Sequence, residues 1–342
     1  MAKVGIMSFA HMHAYSYAAC LNELPEAALV AVWDDDTKRG RAAARQFGAA
    51  FVANMDAFLA SDIDAVIVTS ENVRHREMVE KAAAAGKWIL SEKPLSPDVS
   101  DCRAMIAACK KAKVGLGTAF PCRYSPPLME VKRMVSSGDY GAIYAVSCTN
   151  NGQFPGGWFA RQAMAGGGAT MDHTVHVADA LRWITGKEFT KVYCENGNLL
   201  REGIDTDDIG SLHMEMEGGI QVSHIASWNR SKSFPTWGDV TLEIVAEKGI
   251  IRVDAFNQKI NVYNDEAVRA EWAYWGGNPD LGLVRDFVVA CDERREPAVT
   301  GLDIAERPSR RQQQLRRYQH LPGHHRLDRR KDGHPPARSA GP

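Results

Sequence analysis

The chain has 342 residues, of which 45% are hydrophobic and 24% charged, and its formal net charge is -1. This length exceeds what a single hydrophobic core usually holds, so two domains are expected. The near-zero charge excludes a general attraction to nucleic acid or anionic lipid, and no stretch of 18 uninterrupted apolar residues indicates a membrane span. Neither kind of partner is expected.

Cysteine content and the first residues both favour the cytoplasm. Seven cysteines occur without a C-x-x-C pair, which predicts neither a disulfide framework nor a zinc knuckle. The first apolar strand begins at residue 4, which leaves no room before it for a signal-type segment. A reducing, cytoplasmic location is therefore expected.

The first third of the chain alternates short apolar runs with helical patterns. The runs are VGIM (4–7), ALVAVWD (28–34), DAVIVTS (64–70) and KWILSE (87–92). Between them, apolar residues and alanines recur at helical spacing over 14–24, 37–47 and 73–85. Continuous apolar strands are typical of a parallel sheet that helices cover on both faces. The pattern predicts a doubly wound α/β domain of the Rossmann type over residues 1–120.

The first strand runs into a helix at the place where a dinucleotide-binding domain carries G-x-G-x-x-G. The three glycine positions are occupied here by Ser8, Ala10 and His13. Ser8 and Ala10 are small enough for a tight turn, although neither takes a positive φ as readily as glycine. His13 departs further, because glycine at that position normally permits close packing between helix and strand.

His11 and His13 raise a second interpretation of this turn, a metal site. Such a site needs third and fourth ligands at defined spacing, and the sequence of the first domain does not supply them. We therefore expect no metal. His11 is expected at the helix start near the phosphates, and His13 is expected to pack against the sheet.

A run of three carboxylates ends the second strand. Asp34 follows the turn by about 20 residues, where a carboxylate can accept hydrogen bonds from the ribose of an adenine dinucleotide. Asp35 and Asp36 come next, and the nearest arginine is Arg39. Three carboxylates would repel a 2′-phosphate, so NAD is expected in preference to NADP. The alternative is that they only cap the helix that starts at Thr37.

SEKPLS, residues 91–96, follows directly on a predicted strand, at the edge of a parallel sheet where ligands collect. A lysine held there can donate a proton or polarise an alcohol or carbonyl oxygen. A cis bond before Pro94 would aim Lys93. The alternative is a surface lysine beside a turn proline.

From about Thr118 the pattern changes to prolines and then to short strands at hairpin-like spacing. The predicted strands are YAVSCTN (144–150), KVYCEN (191–196), IGSLHMEM (209–216), GIQVSHIAS (219–227), VTLEIVAE (240–247) and GIIRVDAF (249–256). Helices are predicted at 170–185 and 281–292. The sequence predicts an α+β domain over 121–306 with a large, mostly antiparallel open sheet.

GGGATMDHTVHVADALRWITG, residues 166–186, reads as a helix entered through three glycines. Asp172, His176 and Asp179 fall at i, i+4 and i+7, which places them on one face. A histidine with a pKa of about 6.5 suits proton exchange with a substrate hydroxyl, and a neighbouring carboxylate can fix its tautomer. The alternatives are a helix cap for Asp172 and a satisfied core position for His176.

The tail over 307–342 is basic and has no hydrophobic period, since arginine, histidine, glutamine and proline dominate it. Three interpretations stay open: a disordered extension, a basic nucleic-acid arm, and a slipped reading frame near Glu306.

Two motifs together, the EKP tripeptide at 92–94 and the glycine-led D-x-x-x-H helix, resemble the Gfo/Idh/MocA family. This family includes glucose-fructose oxidoreductase, inositol 2-dehydrogenase and the rhizopine-catabolism protein MocA. The resemblance runs from Val4 to about Asp303. Further matching motifs are FPCRY (120–124), GGWF (156–159), LEIVAEKGIIRVD (242–254) and P-x-x-T-G-L-D (297–303).

The resemblance implies a nicotinamide dinucleotide between the two domains and hydride transfer to or from a carbon of a sugar, cyclitol or related polyol. It implies catalytic roles for Lys93, Asp172 and His176, and it places Arg123 and Trp158 in the substrate cleft beside Asp172 and His176. His176 would accept the hydroxyl proton while Lys93 stabilises the alkoxide. The cofactor-binding residues it implies are Ser8, Phe9, Ala10, His11, Met12, Asp34, Thr69, Ser70, Glu71, Asn72, His75, Glu92 and Lys93. A homodimer or homotetramer formed through the open sheet is expected.

Two further departures from the family pattern accompany the altered turn. Glu71 stands where a proline is usual, and Thr174 stands where the helix motif has glycine. They keep open a second function, a catalytically silent dinucleotide-binding sensor. The presence of Lys93, Asp172 and His176 favours an NAD(P)-dependent enzyme.

Overall fold

Two six-stranded sheets carry the fold, in a computed structural model that describes residues 1–234, 236–257, 260–264, 269–273 and 277–301. The interpretations of the tail at 307–342 lie outside the described residues.

The first sheet is parallel and has helices on both faces. Its strands are β1 (Ala2–Met7), β2 (Ala27–Trp33), β3 (Ala50–Phe51), β4 (Ala65–Val68), β5 (Trp88–Ser91) and β6 (Leu116–Thr118). The helices that join them are α1 (His13–Glu23), α2 (Thr37–Phe47), α3 (Met55–Leu59), α4 (His75–Ala84) and α5 (Val99–Ala112). The strand order β3-β2-β1-β4-β5-β6 reverses between β1 and β4 and leaves a crevice at their carboxyl ends. The predicted doubly wound domain is confirmed.

The apolar strands of this sheet contribute side chains to the hydrophobic cores on both of its faces. Every residue of β4 and β5 is buried. Val4, Ile6 and Ile67 join the core on one face, while Met7 and Val66 join the core on the other. Successive side chains of a strand point to opposite faces, so an uninterrupted apolar run is what this position in the fold requires.

The second sheet is mixed and mostly antiparallel, as predicted. Helices α6 (Pro126–Ser136), α7 (Gln162–Ala165) and α8 (Ala169–Thr185) accompany its strands β7 (Ile143–Asn151), β8 (Phe189–Gly197), β9 (Ile209–Met216), β10 (Ile220–Ser227), β11 (Thr241–Ala246) and β12 (Gly249–Asp254). The order is β12-β11-β7-β10-β9-β8. The β7–β10 pair is parallel and the other four pairs are antiparallel.

Helix α8 packs on this sheet and begins at a point where two backbones come close together. Its apolar side chains Val177, Ala180, Leu181 and Ile184 lie in the core of the second domain. A Cβ on Gly168, just before the helix, would lie 1.9 Å from the backbone oxygen of Asp207, so only glycine fits there. The Asp207 carboxylate accepts the N–H groups of Gly168 at 3.0 Å and Thr170 at 2.7 Å, which satisfies donors of the helix start.

The described part of the chain ends with a hairpin and a helix. The hairpin is β13 (Ile260–Asn264) with β14 (Arg269–Ala273), and the helix is α9 (Pro279–Glu293). Leu283, Val284 and Phe287 of α9 lie in the same core as residues of α1 and β1. The chain therefore returns to the first sheet after it has built the second.

Two compositional expectations can be compared with the fold. All seven cysteines lie among the described residues and are free thiols. Among the described helices, none has both the length and the apolar content to span a bilayer.

Candidate active site

A cavity of about 460 Å³ lies where the carboxyl edge of the first sheet meets α8. Lys93, which follows β5, lines it from the first domain. Asp172 and His176 line it from α8. The lysine and the histidine that the two sequence motifs singled out therefore share one cavity.

A buried ion pair joins the two domains at this cavity. The Nζ of Lys93 lies 2.5 Å from Oδ1 of Asp172 and 3.3 Å from its backbone oxygen. The second carboxylate oxygen of Asp172 accepts the indole N–H of Trp228 at 3.1 Å and lies 3.4 Å from Nε2 of His173. Burial opposes the charge of Asp172, but Lys93, His173 and these hydrogen bonds outweigh it and hold the pKa of the carboxyl well below its usual range. Asp172 is therefore ionised, and it lies inside α8 and does not cap it, since the N-cap of α8 is Gly168.

The surroundings of His176 keep its ring uncharged. Burial, followed by the Lys93 charge, lowers the pKa of His176 well below its ordinary value, so the ring is neutral. Phe120 lies edge-on to it at 6.0 Å, and Sγ of Cys122 lies 4.0 Å from its Nδ1. Asp172, on the same helix face, is engaged by Lys93, Trp228 and His173.

The turn after β1 has the shape that a glycine would give it. Ser8 takes a φ of 77°, in the left-handed region. The hydroxyl of Thr69 donates to the Ser8 backbone oxygen at 2.7 Å, and the N–H of Ala10 donates to the Ser8 hydroxyl at 3.1 Å. The N–H of Phe9 donates to Asp34 at 2.8 Å. Hydrogen bonds from its neighbours therefore hold a conformation that serine does not favour.

The three carboxylates after β2 have different partners. Asp34 is buried and accepts a bidentate pair of hydrogen bonds from Arg39, at 2.8 and 2.7 Å. Arg39 also reaches Asp35 at 3.1 Å, and Arg74 pairs with Asp35 as well. Asp36 alone caps α2. The capping alternative therefore holds for one of the three, and two arginines that the sequence did not place here lie among them.

The two histidines of the turn lie close to Glu92. His11 lines the cavity, and burial lowers its pKa to about 3. His13 contacts the residue that follows β5, since its Nδ1 lies 2.8 Å from Oε1 of Glu92. His11, His13 and Glu92 bring three atoms able to bind a metal within 4.8 Å of one another. The sequence analysis did not find the third of them.

Two residues expected to bind the cofactor contact the backbone of the segment around Lys93. His75 is fully buried, and its ring nitrogens face the backbone oxygens of Ser70 at 3.2 Å and Pro94 at 3.0 Å. Glu92 is also fully buried and accepts the backbone N–H of Lys93 at 2.8 Å. Both hold the segment around the Lys93–Pro94 bond, which is cis.

The segment 69–72 after β4 lies against the turn and against the second domain. The side-chain amide of Asn72 donates to the backbone oxygen of Ala165 at 2.9 Å. Ser70 is buried, and Glu71 is buried with Arg74 at 3.5 Å. Substitution of glutamate for the usual proline therefore adds one more acid beside the arginines.

Neither of the two residues that were expected in the substrate cleft lines the cavity. Arg123 does not line the cavity, because its guanidinium pairs with Asp179 at 2.9 and 2.5 Å. Trp158 stacks on Phe159 at 3.8 Å and donates its indole N–H to the backbone oxygen of Ala10 at 3.1 Å. Its neighbour Phe159 is the one that lines the cavity.

Several cavity residues were missed by sequence reasoning because they come from distant parts of the second domain. They are Asn150, Gln153, His173, Trp228, Thr236, Trp237, Asp239 and Asp280. Only His173 carried a usable signal, since it follows Asp172 directly in the helix motif.

The family models match most of this architecture. An oxidoreductase family with an NAD-binding Rossmann fold matches residues 2–120, and the GFO/IDH/MocA C-terminal domain matches residues 128–252.

Individual relatives give the same picture. Inositol 2-dehydrogenase of Rhizobium meliloti is 28% identical over 240 residues, which cover 70% of this chain and 71% of the relative. D-apiose dehydrogenase of Paraburkholderia graminis is 24% identical over 316 residues, covering 87% and 81%. Among solved structures, GenD2 from gentamicin A biosynthesis in complex with NAD has the same fold, with a TM-score of 0.79, 24% identity, and coverage of 90% and 94%.

A Rossmann turn beside a cavity that holds a buried lysine and a neutral histidine defines a nicotinamide-dependent oxidoreductase. With models of both its domains matched, the chain belongs to the Gfo/Idh/MocA oxidoreductase family, as the motifs predicted. It is an enzyme of the dehydrogenase and reductase class. The alternative of a catalytically silent sensor finds no support among these relatives.

Substitutions of Ser8 test whether the turn is strained. Serine-to-alanine and serine-to-glycine changes both remove the hydroxyl, but only alanine keeps a Cβ in the left-handed region. Ser8→Ala is expected to lower the free energy of unfolding by about 1 kcal/mol more than Ser8→Gly. Urea unfolding measures the difference, and equal stability of the two variants would show that the turn is relaxed.

Proposed function

We propose that this enzyme transfers hydride between NAD and a secondary alcohol or ketone of a sugar, cyclitol or related polyol. The dinucleotide would be held by the domain at 1–120 and the substrate by the domain at 121–306. The observation that carries the proposal is that Lys93 and His176, from different domains, line one cavity beside the Rossmann turn.

The turn and its surroundings fit a dinucleotide. The left-handed Ser8 shapes the turn that leads into α1, and the start of a helix is where a diphosphate is stabilised. Asp34 lies at the end of β2, within reach of a ribose. The residues proposed to hold the cofactor are Ser8, Phe9, Ala10, His11, Met12, Asp34, Thr69, Ser70, Glu71, Asn72 and Lys93.

The protein groups would divide the work of alcohol oxidation. His176, whose ring is neutral, accepts the hydroxyl proton of the substrate. Lys93 stabilises the negative charge that develops on that oxygen, while Asp172 holds the ammonium in place. The dinucleotide, when bound, accepts the hydride in oxidation and returns it in reduction. The protein therefore supplies orientation, one proton acceptor and one fixed cation.

The charges of the cavity favour a neutral substrate. Most charged groups of its lining are paired: Lys93 with Asp172, Asp239 with Arg230, and His13 with Glu92. The uncharged polar side chains of Asn150, Gln153 and Thr236 also line it. An acidic sugar would find no unpaired cation among the described residues of the lining, whereas hydroxyl groups would find donors and acceptors. This supports a polyol, in keeping with the names of the relatives.

The proposed preference for NAD over NADP rests on the partners of Arg39. A 2′-phosphate would have to take Arg39 from Asp34 and would lie close to Asp35 and Asp36. Unphosphorylated ribose meets no such competition.

Lysine removal tests the mechanism. Lys93→Ala is expected to lower kcat by about 100-fold or more, because a preorganised donor to the developing charge is lost. The Kd for NAD should change much less than kcat, because the other residues proposed to hold the cofactor remain. The measurement is absorbance of reduced nicotinamide during a screen of sugars and cyclitols, with Lys81→Ala, at an exposed position of α4, as the matched control. Unchanged turnover in the folded Lys93 variant would remove Lys93 from the mechanism.

Cofactor choice can be shifted at Asp34. Asp34→Ser releases Arg39 to bind a phosphate, and charge-assisted bonds of this kind contribute about 1.5–3 kcal/mol. The ratio of kcat/KM for NADP to that for NAD should therefore rise by about tenfold or more. Asp62→Ser, which removes an exposed carboxylate paired with Lys3, is the control. Equal ratios in the two variants would contradict a role for Asp34 in discrimination.

We also propose that the outer face of the second sheet joins copies of the chain. Tyr193 (58% exposed), Ile225 (46%) and Val245 (37%) lie on this face. A shallow groove crosses the same face over β8, β9, β10 and β7. Apolar side chains exposed across a broad sheet are typical of a protein interface. The reduced state of the seven cysteines supports a cytoplasmic location for the assembly.

The double variant Ile225→Asp/Val245→Asp is expected to be monomeric, because two carboxylates would be buried unpaired in the interface. Light scattering of the purified protein measures the mass. Met129→Asp, at an exposed position of α6, is the control and should assemble as the unaltered chain does. A monomeric unaltered chain would contradict the proposal.

A further inference from the structure

The third glycine position of the turn carries a histidine that contacts the catalytic segment. His13 starts α1, and its Nδ1 lies 2.8 Å from Oε1 of Glu92. Tyr17, one helical turn further on, donates its hydroxyl to the same oxygen at 2.6 Å. The rings of His13 and Tyr17 lie edge to face at 6.0 Å. A helix that normally begins with glycine therefore supplies two side chains to one buried carboxylate.

The pair of His13 and Glu92 places a ring nitrogen of the histidine against a buried carboxylate. Glu92 has no exposed surface, whereas the His13 side chain is 33% exposed. Burial opposes the charge on both groups. The neighbouring histidines and Lys93 nevertheless hold the pKa of Glu92 well below its usual range, and Glu92, with Asp280 assisting, raises the pKa of His13. The titratable groups that face His13 are His11, Tyr17, Glu92, Lys93 and Asp280.

A metal ion is the other occupant that this cluster could suit, since His11, His13 and Glu92 resemble a two-histidine, one-carboxylate ligand set. The hydrogen bonds favour a proton instead. The Nδ1 of His11 accepts the His13 N–H at 3.1 Å, so its proton is on Nε2. Glu92 already accepts from His13, Tyr17 and the Lys93 backbone. A metal would have to displace these partners.

Glu92 connects His13 and Tyr17 to the backbone of Lys93. One oxygen of Glu92 holds His13 and Tyr17, and the other accepts the backbone N–H of Lys93 at 2.8 Å. The side chain of Lys93 is fixed in turn by Asp172. The backbone that presents the ammonium is therefore anchored to α1 through a charged pair.

We propose that His13 is a positioning residue, whose imidazolium holds Glu92 and thereby sets the orientation of Lys93 for the reaction. The inference rests on the proposed role of Lys93. By this proposal, the histidine at the third glycine position has a role in the reaction and is not merely accommodated by the turn. The pair is intact while His13 is protonated and is lost as the pH rises through the pKa of His13, so activity should decline on that alkaline side.

Neutral and charged replacements of His13 separate positioning from simple packing. His13→Gln keeps an N–H donor but carries no charge, and kcat should fall by about 10-fold to 100-fold, the usual cost of losing a supporting partner. NAD affinity should stay unchanged, and the alkaline decline should disappear. His13→Lys restores a cation and should recover kcat, with the decline moved to higher pH. Lys110→Gln, at an exposed position of α5, is the control.

The outcomes distinguish this proposal from the proposed function. If Lys93→Ala is inactive while His13→Gln keeps the kcat and pH profile of the unaltered enzyme, only the positioning role is overturned. If both variants stay active, the proposed function fails as well. Binding of one zinc ion per unaltered chain, lost in His13→Gln, would replace the proposal with a metal site.

A direct titration covers the case in which the variants do not fold. NMR of the unaltered protein in the presence of NAD measures the pKa of His13. A value above the ordinary 6.5 supports the imidazolium, and a value at or below it overturns the proposal.

Discussion

The ion pair between Lys93 and Asp172 is the interaction on which the site depends. Both side chains are buried, and they come from different domains. Removing one partner of a buried pair typically costs about 3–5 kcal/mol, because the other charge is left without solvent. Trp228 and His173 satisfy the remaining carboxylate oxygen, so the pair is supported on both sides. The same contact therefore holds the domains together and fixes a cation beside a neutral histidine.

The dinucleotide turn keeps the backbone geometry of the glycine motif although none of its three glycine positions holds a glycine. Ser8 takes the left-handed conformation because Thr69, Ala10 and the neighbouring strand bond to it. Asp34 holds the next residue of the turn and is itself held by Arg39. The conformational freedom of glycine is replaced by a set of fixed partners. The residues that hold the turn are also among those proposed to bind the dinucleotide, so the shape of the turn depends on the site around it.

The sequence predicted the fold well because apolar periodicity records burial directly. Runs such as those of β4 and β5 are buried on both faces, and both domain types were confirmed. Helices α5 and α6 and the hairpin β13–β14 were not predicted, because their patterns are mixed with charges or prolines. Lys93, Asp172 and His176 could be found because each lies in a motif with regular spacing. The partners of Arg123, His75 and His13 depend on contacts between segments far apart in sequence, which local spacing does not encode.

The central claim is that this cavity brings one polyol hydroxyl to both Lys93 and His176. A crystal structure of the enzyme with NAD and a polyol that it turns over measures this most directly. The account predicts a substrate oxygen within hydrogen-bond distance of Lys93 Nζ and of the His176 ring, and its carbon about 3–3.5 Å from the reactive carbon of nicotinamide. A polyol bound away from Lys93, with the ammonium facing only Asp172, would contradict it.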